Sequence, residues 1–138
     1  MASDSVILRK AQIIERCVQR IKEEMDGSPG LEALNQTKQD SVLLNLERAC
    51  QATIDLAMRI VRMKKLGLPA ESREAFTLLR KQNLLDDQLY LRMLGMVGFR
   101  NTAVHDYQGL NLKIIDSIVQ NHLSDFLAFA STSIDLSQ

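Results

Sequence analysis

The sequence predicts an all-α chain, most simply a bundle of about five helices joined by short loops. Three observations predict it. Apolar residues recur at i+3 and i+4 spacing in segment after segment, no segment alternates apolar and polar at period two, and β-branched residues do not cluster. The breaks agree with this. Pro29 with Gly27 and Gly30, Gly67 with Pro69, and Gly109 fall between the periodic segments. At 138 residues, with no internal repeat and no linker, the chain is expected to form a single domain over residues 1–138.

The elements follow in order. Ile7, Ala11, Ile14, Val18, Ile21 and Met25 form one face of a helix from about Ser5 to Met25, stopped by Asp26-Gly27-Ser28-Pro29-Gly30. The polar loop to residue 39 has room for a short turn around Leu31–Leu34. A second helix is expected from Asp40 to Leu66, with Asp40 or Ser41 as N-cap and Gly67 as C-cap. Its stripe of Leu43, Leu46, Cys50, Ile54, Ala57 and Val61 is widened by Leu44, Leu56, Ile60 and Met63, which implies burial on more than one side. Ser72 reads as the N-cap of a short third helix ending near Gln82. Asp86 and Asp87 open a strongly apolar fourth helix. Asn111 is placed to cap a fifth, Leu112 to about Thr132, with Ile115, Ile118, Val119, His122, Phe126 and Phe129 on its core face.

Composition narrows the function. Hydrophobic residues make up 46% and charged residues 25%, ordinary globular values that exclude a disordered or highly charged tail protein. Seventeen basic residues balance seventeen acidic ones, so any contact with nucleic acid has to be local. Residues 59–81 are net +5: Arg59, Arg62, Lys64, Lys65, Arg73, Arg80 and Lys81 outweigh Glu71 and Glu74. That run suits either a solvated helix end or a shelf for a polyanion backbone. Cys17 and Cys50 sit in apolar patterns and read as buried free thiols. With two distant histidines they do not make metal-ligand spacing, and no metal or other cofactor is expected. No apolar run approaches a membrane span and the N-terminus has no signal-peptide core, so a cytoplasmic protein is expected. Walker and GxGxxG loops are absent, as are the Glu-x-x-His pairs of a di-metal bundle.

The sharpest stretch is Gly98-Phe99-Arg100-Asn101-Thr102-Ala103-Val104-His105-Asp106-Tyr107. His titrates near neutrality and can pass a proton, and Arg offers a fixed fork of donors for a phosphate. Asn101 can orient either. This set fits RNA phosphodiester cleavage by the neighbouring ribose 2′-OH, with His105 handling a proton and Arg100 steadying the pentacoordinate phosphate. The same residues also suit an Arg100–Asp106 surface pair with His105 at a helix end. On a continuous helix Arg100 and His105 would lie about 140° apart. A shared pocket therefore needs a helix break between them or a second chain.

R-N-x-x-x-H-x-Y after an apolar helix, in a short all-α chain, resembles the HEPN superfamily. More narrowly it resembles the HepT-like toxins of MNT–HEPN toxin–antitoxin systems, across nearly the whole chain. The resemblance implies a HEPN-type bundle and a metal-independent endoribonuclease whose homodimer builds one catalytic cleft from both copies of the motif. It implies Arg100 and His105 as the catalytic pair, with Asn101 in support. It also implies a minimal nucleotidyltransferase antitoxin as partner, which adds AMP to the motif tyrosine, here Tyr107. Arg59, Arg62, Lys64 and Lys65 are candidates for RNA backbone contact, tRNA or mRNA being the substrate. The alternative is a non-catalytic helical binding subunit of a minimal nucleotidyltransferase; a third reading is an unrelated helical adaptor.

Two further features stand apart. Gly95 and Gly98 suit close approach of another helix, from a dimer mate or from within the chain. His122 is expected to be a hydrogen-bonded core or boundary histidine.

Overall fold

The computed structural model describes the backbone of residues 4–105 and 112–138, and the side chains of 4–101 and 112–138. Among these residues every regular element is helical. The order is α1 (Ser5–Met25), a single 3₁₀ turn (Leu31–Ala33), α2 (Gln36–Met63), α3 (Ser72–Lys81), α4 (Asp87–His105), α5 (Leu112–Asn121) and α6 (Leu123–Leu136).

The long α1 and α2 make the most extensive helix pair, and α6 packs onto both. α3 bridges α2 and α4, while α4 leans on α2, α3 and α6. The central layer is Ile7, Ile14 and Ile21 of α1, Leu46, Leu56 and Ile60 of α2, and Phe76, Phe126 and Phe129, all fully buried. Phe76 and Phe129 tilt against each other with ring centroids 5.4 Å apart, in the range that favours aromatic pairs. Truncating Phe129 to Ala would cost about 3–5 kcal/mol, the usual result of leaving a cavity that size.

Helix ends follow local chemistry. Asp4 caps α1 by accepting from the Val6 and Ile7 amides at 2.9 and 3.1 Å, and Arg59 of α2 clasps its other oxygen at 2.8 Å. These bonds, Arg59 first, hold the Asp4 carboxyl below its usual range. α2 starts four residues before the expected Asp40, because Asn35 is the cap: its side chain accepts from the Lys38 amide at 2.9 Å. α2 also stops at Met63 instead of Leu66. Lys65, not Gly67, takes the left-handed conformation there (φ 56°), and the Leu66 amide reaches back to the Val61 carbonyl at 3.0 Å. Ser72 lies inside α3; the cap is Glu71, which makes no side-chain bond, and Glu74 instead folds back onto the Ala70 amide at 2.8 Å. The turn expected near Leu31–Leu34 is present. Asp116 of α5 pins it by accepting from the Leu31 amide at 3.0 Å.

The expected fifth helix is two helices. His122 breaks the run with φ −127° and ψ 5°, and α6 begins at Leu123. The apolar stripe continues through the break, with Ile115, Ile118 and Val119 before it and Leu123, Phe126 and Phe129 after it, so periodicity conceals the joint. The expected cap at Asn111 and the break at Gly109 lie outside the described residues. No described helix is long and apolar enough to cross a membrane.

Candidate active site

α4 carries the motif from Arg100 to His105. Its first turn is capped by Asp86, whose side chain accepts from the Leu89 amide at 2.7 Å. Met93, Met96, Val97 and Phe99 then bury it against α2, α3 and α6. Arg80 and Tyr90 fasten α3 to it: the Arg80 guanidinium sits 5.3 Å from the Tyr90 ring centre and bonds Asp87 at 2.7 Å. The helix runs unbroken from Asp87 to His105. The possibility of a break between Arg100 and His105 is therefore removed, and the two residues stay about 140° apart around one axis.

Arg100 is half-buried and Asn101 is exposed. Arg100 faces α2, where its charge acts on Glu47 and Cys50. Burial pushes the Glu47 carboxyl up, and Arg100 opposes that shift without cancelling it. Burial also pushes the Cys50 thiol up to about 12, with Glu47 adding to the effect and Arg100 opposing it. Cys50 is thus a protonated, inert thiol at physiological pH, as is expected of a buried cysteine in apolar surroundings. Burial raises Cys17 as well. Both cysteines are free and buried, as the sequence predicts.

Arg73 of α3 joins this end of α4. Its Nη2 lies 3.6 Å from where a Cβ on Gly98 would stand. Gly98 is therefore approached by a guanidinium of the same chain, whereas a Cβ at Gly95 would meet nothing within 4 Å. Arg73 belongs to the basic run noted in the sequence, whereas Glu47 was not singled out there. Glu47 lies on the flank of an apolar stripe, where a carboxylate reads as solvated, and only the fold brings it to Arg100. The side chain of His105, and Tyr107 altogether, lie outside the described residues.

The basic run divides. Arg59 is held by Asp4. Arg62 and Lys65, with Met58, Val61, Leu68 and Pro69, line an open depression of about 450 Å³ at the end of α2. His122 is a boundary histidine, as expected, with its side chain 38% exposed and Nδ1 at 3.0 Å from Asp125.

The family model described as ribonuclease HepT-like matches residues 7–133. The chain belongs to the HepT-like family. This HepT-like chain is 47% identical over 127 residues to the mRNA nuclease HepT of Shewanella oneidensis, covering 91% of this chain and 94% of that protein. It superposes on a toxin–antitoxin crystallised with AMP-PNP at a TM-score of 0.86, with 43% identity, covering 94% of this chain and 97% of the other. It superposes equally well on the tri-AMPylated Shewanella oneidensis HEPN toxin in complex with its MNT antitoxin. There the TM-score is 0.85, with 46% identity and coverage of 94% and 96%. The HEPN-type helical architecture inferred from the motif is thus the observed one, with six α-helices among the described residues instead of about five.

Proposed function

We propose that this HepT-like chain is the endoribonuclease toxin of a toxin–antitoxin pair and acts in the cytoplasm as a single-domain protomer of a homodimer. Its likeness over nearly the whole length to an mRNA nuclease HepT carries the reading, together with the R-N-x-x-x-H-x-Y motif in the sequence, whose Arg100 to His105 stand on α4. Arg100 and His105 are the catalytic pair and Asn101 orients them. The ribose 2′-OH attacks the adjacent phosphorus while His105 takes or returns a proton. The 5′-oxygen leaves, and the cut RNA ends in a 2′,3′-cyclic phosphate. Arg100 stabilises the charge that grows on the phosphoryl oxygens. The nucleophile belongs to the substrate, so the chemistry calls for no metal.

The unbroken helix supports the dimer. One α4 presents Arg100 and His105 on different sides, and a two-fold axis lets Arg100 of one copy meet His105 of the other. Arg59, Arg62, Lys64 and Lys65 would add backbone contacts from both copies. Silencing follows from AMP transfer to the Tyr107 hydroxyl by a minimal nucleotidyltransferase antitoxin, ATP losing pyrophosphate. The added phosphate then occupies, with like charge, the space meant for RNA phosphate.

The test is cleavage of tRNA and mRNA by purified protein in excess chelator, wild type beside His105→Ala, with the new 3′ ends read for cyclic phosphate. Cleavage by wild type alone, with cyclic ends, is expected. A wild-type protein shown by mass to be unmodified at Tyr107 and yet inactive on both RNAs would favour the non-catalytic binding subunit.

A further inference from the structure

We propose that the groove between α4 and the α5–α6 joint is a nucleobase subsite, which takes one unstacked base of a single-stranded RNA. The inference rests on the ribonuclease reading above and uses none of its catalytic residues. Its centre is Asp125, whose side chain is only 3% exposed. One carboxylate oxygen accepts from Arg92 Nη1 at 2.8 Å and the other meets His122 Nδ1 at 3.0 Å. The carboxylate thus ties Arg92 and His122 together, and Nε2 is the ring nitrogen turned away from Asp125. Arg92 keeps its other N–H groups as donors. Both side chains are roughly 40% exposed, and both line a groove of about 230 Å³ whose remaining walls are Gly95, Met96 and Ile118.

Chemistry selects the occupant. Three apolar walls with the Arg92 guanidinium at one corner and the His122 imidazole at the other suit a planar heteroaromatic ring, whose edge carries hydrogen-bonding atoms. The guanidinium, the imidazole and the Met96 thioether offer surfaces on which such a ring stacks. A phosphate would leave the apolar walls of Gly95, Met96 and Ile118 uncovered, and the face of a ring covers them. The volume lies below the roughly 300–1,000 Å³ of pockets that enclose a drug-sized ligand and suits a single ring system. Position agrees too. Arg92 precedes Arg100 by eight residues on a continuous helix, about 12 Å along its axis, within reach of a strand whose scissile phosphate rests at Arg100. Gly95 keeps the groove open, since a side chain there would grow into empty space.

The experiment uses short single-stranded RNAs with 2′-O-methyl riboses throughout, each carrying one abasic nucleotide at a different position. Their affinity for the purified full-length protein is read by fluorescence anisotropy. One abasic position is expected to weaken wild-type binding about tenfold, the usual effect of losing one stacked base. Gly95→Leu, which fills the groove and leaves Arg92, Asp125 and His122 in place, is expected to erase that position's effect. His122→Asn offers an N–H to Asp125 and removes Nε2, and is expected to abolish preference among the four bases there. Equal affinities for all abasic positions in the wild type would overturn the proposal. So would a Gly95→Leu protein that keeps the wild-type dependence. A Gly95→Leu protein of altered oligomeric mass would also overturn it, since the groove would then be covered by a second copy. These RNAs lack the attacking hydroxyl, so the result is independent of whether the protein cleaves.

Discussion

Two arginines on α4, eight residues apart, live in opposite electrostatic settings. Arg92 is bound to a carboxylate that is almost wholly buried and that also holds His122. Arg100 faces Glu47, whose carboxyl is pushed toward its neutral form by burial, and Cys50, whose thiol is protonated. The first arginine is neutralised by its neighbours and braces α4 against α6. The second makes no ion pair with another described residue and acts on Glu47 only through its charge. In the proposed function Arg100 meets a phosphate in the transition state, a task that asks for a guanidinium not already bound to a carboxylate. The same residue type on the same helix is a brace at one end and, in the proposed function, a reagent at the other.

Substitution should separate the two. Arg100→Ala is expected to lower RNA cleavage by about 10²–10³-fold, the usual loss when a transition-state donor is removed, while thermal unfolding stays near wild type. Arg92→Ala should do most of its damage in stability. It strands a buried carboxylate with His122 as its remaining partner, at about 2 kcal/mol by denaturant titration. Equal effects of both changes on unfolding would dissolve the contrast.

Glu47 sharpens the comparison at smaller scale. Its folded pKa lies above the unfolded value, so the fold binds its proton more tightly than the open chain does. That contribution is fully present below the unfolded pKa and is lost as pH rises through the folded one. At neutral pH the charged form therefore costs stability, and Glu47→Gln should stabilise by under about 1 kcal/mol, discounted for partial exposure. The gain should shrink as pH falls through the carboxylate range. A gain that grew on acidification would reverse the assignment. The smallest effect is at Cys50. With its thiol at about 12 and buried, native protein at pH 8 should show no alkylation there over a time in which unfolded protein reacts fully, as read by mass spectrometry.

The sequence was legible where forces are local. α1 runs Ser5–Met25 as its apolar spacing predicts, and α4 opens at the Asp86-Asp87 pair. The motif residues were found by their own clustering. Misses arose where two local rules competed or where distance in sequence hid a contact. Asn35 outcompeted Asp40 because a cap ten residues past the end of α1 at Met25 still had helix formers behind it. Lys65 took a left-handed turn that seemed reserved for Gly67. The Arg92–Asp125 pair spans 33 residues, and nothing in composition or periodicity points to it. The His122–Asp125 half was readable, since a polar residue three before an acid at a helix start is a capping pattern. It was obscured because His122 fell in register with an apolar stripe.

The attachment of α5 sets how the molecule opens. Its main contacts are with α6 and the small turn at Leu31–Ala33, where Asp116 supplies a single hydrogen bond across the gap. α1 and α2, by contrast, share an interface along their lengths. Cooperative units with few neighbours detach at lower free energy than those at the centre. The amides of α5 should then exchange with deuterated solvent well ahead of those in α1 and α2. The layer of α1, α2 and α6 that keeps the protein folded would stay closed while α5 came away.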